Sequence, residues 1–159
     1  MWHVIQVSDH MEAQACNSIT HAGDQCYVPM LIRYKLKARK TKSRTIIQTP
    51  LIPRICFTTL SDPDHLNFIA REFKPRYLHT NGWRWQIPNQ QLEVFRSSHE
   101  AEMDKLRESY DKYKARKADP KLNKPIVVHN FADLARVLNM KLADEDMADD
   151  AIDVDVILE

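Results

Sequence analysis

Apolar residues recur along this chain with two different periods, and the switches between them predict its elements. Trp2–Val7 is rich in aromatic and β-branched residues, as a buried strand should be. At Asp9-His10-Met11-Glu12 the pattern takes the shape of a capping box: Asp9 can accept from first-turn amides and Glu12 can reach back. Met11, Ala15, Ile19 and Ala22 then follow at helical spacing, and Gly23 supplies a stop. From Cys26 to Ala38 the period falls to two. Tyr34, Leu36 and Ala38 alternate with Arg33, Lys35, Lys37 and Arg39, which predicts a strand with one packed and one basic face. Residues 39–44 read as an exposed loop. Thr45–Gln48 and Ile55–Leu60 read as further strand, interrupted near Pro50 and Pro53 because proline cannot donate to a central ladder. The two halves are expected to form a long hairpin.

Asp62-Pro63 marks a helix start, with Leu66, Ile69 and Ala70 as its apolar face and Phe73 extending it. Tyr77–Gly82 turns into a short edge carrying Trp83 and Trp85, of which at most one is expected to be buried on a given face. Pro88-Asn89 opens a long helix reaching about Ala118. Its stripe is Leu92, Phe95, Met103, Leu106, Tyr110 and Tyr113, with His99 filling the gap. Asp119–Pro125 is a proline-bounded linker. Asn130 then caps a last short helix with Phe131, Leu134, Ala135 and Leu138 on one face, and no internal repeat is present.

With 159 residues, 43% apolar, the chain can bury one core but hardly two. No stretch approaches the roughly 18 apolar residues of a membrane span, and the start lacks a secretory leader. A soluble, cytoplasmic protein with no membrane partner is expected. Cys16, Cys26 and Cys56 are too few and too odd for a disulfide framework. Metal binding is the sharper reading of them, but buried thiols are favoured. Charge changes the picture more. The net +1 conceals eight Lys or Arg and no acid from Gln25 to Ser61, and eight acids with no Lys or Arg from Leu142 to Glu159. An anionic partner for the first region and a solvated tail at the second are expected.

Two glycines, Gly23 and Gly82, are too few for a phosphate cradle or dinucleotide fold. No nucleophile elbow or His-Glu-x-x-His pair occurs. Asp62, Asp64 and His65 are the best catalytic candidates, yet their place around a proline favours a helix cap. No enzymatic activity, cofactor, metal or small-molecule substrate is therefore expected. The chemistry present is phosphate contact by Arg33, Lys35, Lys37, Arg39, Lys40, Lys42 and Arg44, since each cation that neutralises a phosphate releases counterions. The bland reading is a solvated strand face. Only Tyr34 lies among these cations, which argues for backbone rather than sequence readout. For Trp83 and Trp85, core or interface packing outweighs base stacking. The stripe from Leu92 to Tyr113 is likewise read first as intramolecular core.

In order and spacing these pieces resemble the N-terminal domain of NusG-type transcription factors. Trp2-His3-Val4-Ile5-Gln6 is similar to that family's tryptophan-led first strand, and Tyr27-Val28-Pro29 to its approach to a basic hairpin. Pro50-Leu51-Ile52-Pro53-Arg54-Ile55-Cys56-Phe57 is similar to its Pro-Leu-Phe-Pro-Gly-Tyr-x-Phe segment. Ile87-Pro88-Asn89-Gln90-Gln91-Leu92 is similar to its closing helix start. The resemblance covers about residues 1–96. It implies an α+β fold in which helices flank an antiparallel sheet, here with a C-terminal helical extension. It also implies an elongation or antitermination factor docked on the clamp helices of the largest RNA polymerase subunit. Such a domain bridges to the facing subunit and lies beside upstream or nontemplate DNA. By motif position the docking patch is formed or supported by Trp2, Leu51, Ile52, Pro53, Arg54 and Ile55. Arg54 replaces the usual glycine and Ile55 the usual tyrosine, so a new pair between Arg54 and an acidic clamp residue is one expectation. No small β-barrel follows Arg96. The organisation read is a domain over 1–96, an extended helix over 97–118, and a linker, short helix and acidic tail over 119–159, as in a phage or accessory regulator. The alternative is a free-standing nucleic-acid-binding module that uses the basic hairpin alone.

Overall fold

In a computed structural model, residues 1–36, 44–113 and 125–139 are described. The first strand, β1 (Trp2–Gln6), is buried at every position and forms the spine of the sheet. On one side it pairs antiparallel with β5 (Ile55–Thr58), from His3 opposite Thr58 to Gln6 opposite Ile55. On the other it takes β6 (Arg76–Tyr77) along Ile5 and Gln6, and β9 (Gln86–Ile87) along Trp2 and His3. β2 (Cys26–Tyr27) closes the far edge against β5. The result is an antiparallel sheet in an α+β fold, as expected.

Alternation along the strands divides the core in two. Ile5, Val7 and Cys56 face α1 (Glu12–His21) and α2 (Pro63–Ala70), where they meet Ala15, Ile19, Leu66 and Ala70. Trp2, Val4, Ile55 and Phe57 belong to the larger cluster on the opposite face. That cluster takes Leu92 from α3 (Asn89–Tyr113) and Leu134 from α4 (Phe131–Val137). Among the described residues, no helix is long and apolar enough to cross a membrane.

Two helix starts follow their local signals. The Asp62 carboxylate accepts from the Asp64 amide at 3.0 Å with Pro63 in the first turn, so Asp62 is a cap. The Asn130 side chain accepts from the Asp133 amide at 2.8 Å. The start of α1 differs. Met11 holds the cap position without any side-chain cap bond, and Met11 and Ala22 are exposed while Glu12 is buried. The predicted capping box is absent because Glu12 is drawn into a longer-range bond, described below.

The predicted Cys26–Ala38 strand is broken at Val28-Pro29, where proline removes a ladder donor. Beyond the break, β3 (Met30–Leu36) pairs with β4 (Arg44–Pro50), from Met30 opposite Pro50 to Leu36 opposite Arg44. This hairpin forms a two-stranded sheet of its own. A second, shorter ribbon joins β7 (His79–Thr80) to β8 (Trp83–Arg84).

The segment expected to begin beyond the linker is built into the domain. Val128, Leu134 and Leu138 join the larger core cluster, the Ile126 amide donates to the Leu51 carbonyl at 2.7 Å, and Gln91 Nε2 donates to the Leu138 carbonyl at 2.9 Å. The expected end of the long helix past Tyr113, most of the linker and the acidic tail lie outside the described residues.

Candidate nucleic-acid interface and docking face

Of the seven hairpin cations, Arg33 and Lys35 occupy alternate positions of β3 and Arg44 opens β4. Lys37, Arg39, Lys40 and Lys42 lie outside the described residues. The hairpin root is fixed firmly. Leu31 and Ile32 are buried, and the Leu51 amide closes the root on the Pro29 carbonyl at 2.8 Å. From α3, buried His99 donates through Nε2 to the Met30 carbonyl at 2.7 Å, while its ring stacks on Phe95 at 5.6 Å. The long α3 stripe is thus used, at least to Met103, to brace the hairpin and complete the core. A groove of about 350 Å³ runs between α3 and this root, lined by Tyr27, Met30, Ile32, Gln48, His99, Met103 and Arg107, with Glu100 and Asp104 at its side. The Tyr27 hydroxyl is buried without a hydrogen-bond partner, and burial followed by the nearby Glu100 carboxylate pushes it up to about 12.

The expected docking residues are placed differently from an exposed patch. Trp2, Leu51, Ile52 and Ile55 are all buried, in the cluster that Val128, Leu134 and Leu138 cover. Only Pro53 and Arg54 are partly exposed. The four apolar side chains therefore support the turn from beneath and do not present a surface in this conformation. Apolar pattern alone does not separate a core face from a docking face; what covers it decides.

Arg54 occupies the place of the family's glycine with φ of 69°, in the left-handed region that an L side chain enters at a cost of roughly 1–2 kcal/mol. Three bonds hold it there. Its amide donates to Glu12 Oε1 at 2.8 Å, its Nε donates to the Val7 carbonyl at 3.2 Å, and its carbonyl accepts from the Val7 amide at 2.9 Å. The Nε edge of the Arg54 guanidinium is therefore engaged internally. Glu12 was invisible as part of this turn because the bond spans 42 positions and its local context imitates a capping box.

The cysteines are also closer together than their spacing suggested. Cys16 on α1 and Cys26 on β2 face one another, and Cys26 in turn meets Cys56 on β5. The hydrogen bond to Cys26, then burial, pushes the Cys16 thiol up. Raised thiols are poor nucleophiles. Among the described residues, no group of three or more His, Cys, Asp or Glu is arranged to hold a metal ion.

Of the two tryptophans near the short ribbon, Trp85 is 2% exposed and Trp83 is 81% exposed. β8 ends at Arg84, so Trp85 lies one residue past the strand, where its Nε1 donates to Thr80 Oγ1 at 2.8 Å. Trp85 packs beside Phe131 of α4 at 5.7 Å, whereas Trp83 lies beyond that cover.

No protein-family model matches the chain, and no well-characterised protein matches its sequence closely enough to count as a relative.

Proposed function

We propose that this chain is an RNA polymerase-binding elongation or antitermination factor of NusG type, with the β3–β4 hairpin lying along upstream or nontemplate DNA. The observation that carries this reading is the hairpin itself. A ribbon with seven positions of register leaves the main sheet, is braced at its root by α3, and belongs to a stretch of eight cations without one acid. A ribbon that merely completed a core would not need such a one-sided charge. The turn at Arg54 adds support, because its left-handed backbone is the conformation that the family's glycine would supply. Docking through Leu51, Ile52 and Ile55 requires the 125–139 segment to lift from them. Docking through the Pro53-Arg54 rim does not.

The hairpin is tested by replacing Lys37, Arg39, Lys40 and Lys42 with alanine. Each lost phosphate contact is expected to reduce the slope of log K against log salt by roughly 0.9 on duplex DNA, measured by fluorescence anisotropy on an elongation-complex scaffold. An unchanged slope returns these residues to a solvated face. The second reading, a free-standing nucleic-acid module, rests on the same cations. It is favoured if the protein binds naked DNA as tightly as it binds the polymerase complex.

A further inference from the structure

The free thiols Cys16, Cys26 and Cys56 come from three elements and converge where α1 packs on β2 and β5. The strand register accounts for part of this. Cys26 stands opposite Thr58, and Cys56 lies two positions before Thr58 on β5, so both side chains leave the sheet on the face that α1 covers. Cys16 follows Ala15 on the helix, and its thiol is hydrogen-bonded to that of Cys26. Both partners are held in place. Ala15 and Ile19 seat α1 in the core, while the Gln25 amide donates to Thr59 Oγ1 at 3.1 Å and the Gln25 carbonyl accepts from Thr58 Oγ1 at 2.9 Å. Between them Gly23, with φ of 101°, turns the chain back.

Geometry decides which two thiols can be joined. Cys26 and Cys56 are diagonal neighbours on adjacent strands, a relation that puts Cα atoms about 7–8 Å apart. A disulfide spans about 4.4–6.8 Å between Cα atoms, so bridging this pair requires the sheet to move. Cys56 is also fully buried, and its Sγ donates to the Glu12 carbonyl at 3.7 Å. Cys16 and Cys26 are partly exposed, and they belong to a helix and a strand that are not tied by a ladder. A small reagent can reach them.

We propose that Cys16 and Cys26 form a reversible disulfide staple between α1 and β2, with Cys56 left out as a free thiol. The closing step is exchange with a small disulfide such as oxidised glutathione. One cysteine thiolate attacks a glutathione sulfur, forms a mixed disulfide and expels one glutathione thiolate, which takes up a proton. The second cysteine thiolate then attacks the protein sulfur of that mixed disulfide and expels the second glutathione. Two protein thiols are oxidised, and one oxidised glutathione is reduced to two thiols.

The surroundings make the staple slow to close. The hydrogen bond to Cys26, then burial, raises the Cys16 thiol, with Thr20 and Arg96 pulling the other way. At Cys26 the hydrogen bond from Cys16 favours the thiolate, but the contact with Cys56 and burial outweigh it and leave this thiol raised too. Only the thiolate attacks, so closure is expected to quicken roughly tenfold per pH unit above neutrality.

The test uses the intact, folded protein incubated with oxidised glutathione at mildly alkaline pH. Intact-mass spectrometry is expected to show loss of two hydrogens with no glutathione retained. Peptide mapping is expected to place the link at Cys16–Cys26, with Cys56 still alkylated once the chain is unfolded. Closing this short loop should raise the unfolding midpoint by roughly 5–15 °C, and excess reduced glutathione should restore the starting value. Cys56→Ala is expected to form the same link, whereas Cys16→Ser and Cys26→Ser should stop at a mixed disulfide. A link mapped to Cys56 in the wild-type protein would overturn the proposal. So would a disulfide-joined dimer in place of the internal link, or a link that forms in urea but not in the folded protein.

Discussion

Ile52→Asp is expected to unfold the domain and not simply to weaken a surface contact. Ile52 is 1% exposed and belongs to the larger core cluster. Removing its side chain from that environment costs about 1.5–3 kcal/mol of burial. Burying an unpartnered polar group there costs about 2–7 kcal/mol more. Together these rival the 5–15 kcal/mol by which typical domains are stable. Ile52→Val, by contrast, should cost only about 0.5–1.5 kcal/mol. Urea denaturation followed by the emission of buried Trp2 and Trp85 separates the two. If Ile52→Asp keeps a native midpoint, the side chain reaches water easily and the docking face is open in solution. For this reason loss of partner binding in Ile52→Asp or Ile55→Asp says nothing about docking until folding has been measured.

The second large effect is expected at Leu134, which is fully buried on α4 against the same cluster. Leu134→Ala should destabilise the protein by about 2–5 kcal/mol, the cost of a buried leucine together with the cavity it leaves. It should also loosen the cover over Leu51 and Ile52. If polymerase is bound through those residues, affinity rises in this variant at temperatures where it stays folded. If docking uses the Pro53-Arg54 rim, affinity is unchanged. A Leu134→Ala protein with wild-type stability would mean that α4 is not seated as described.

How much of this was legible in the sequence depends on how far apart the interacting residues lie. β1, the hairpin and the starts of α2 and α4 were readable, because alternation and caps such as Asp62 and Asn130 act within a few positions. The role of Glu12 was not readable, since its partner Arg54 is far along the chain and the Asp9–Glu12 spacing offered a plausible local alternative. The apolar stretch around Ile52 was read correctly as apolar but placed on the outside. Period and composition are the same for a covered face and an uncovered one, and the cover comes from residues 125–139. The pair Trp83 and Trp85 is a similar case. Their chemistry is identical, yet Trp85 joins the larger core cluster beside Phe131 while Trp83 stands in solvent.

The central claim is that this protein binds RNA polymerase, and co-migration with a reconstituted elongation complex tests it most directly. Purified protein is mixed with polymerase assembled on a nucleic-acid scaffold, and the complex is separated by size-exclusion chromatography at near-physiological salt. The account predicts that the protein elutes with the complex, and also with polymerase lacking the scaffold but less tightly. Elution as free protein in both cases, under conditions where it still binds naked DNA, would contradict the account and leave the free-standing nucleic-acid module in its place.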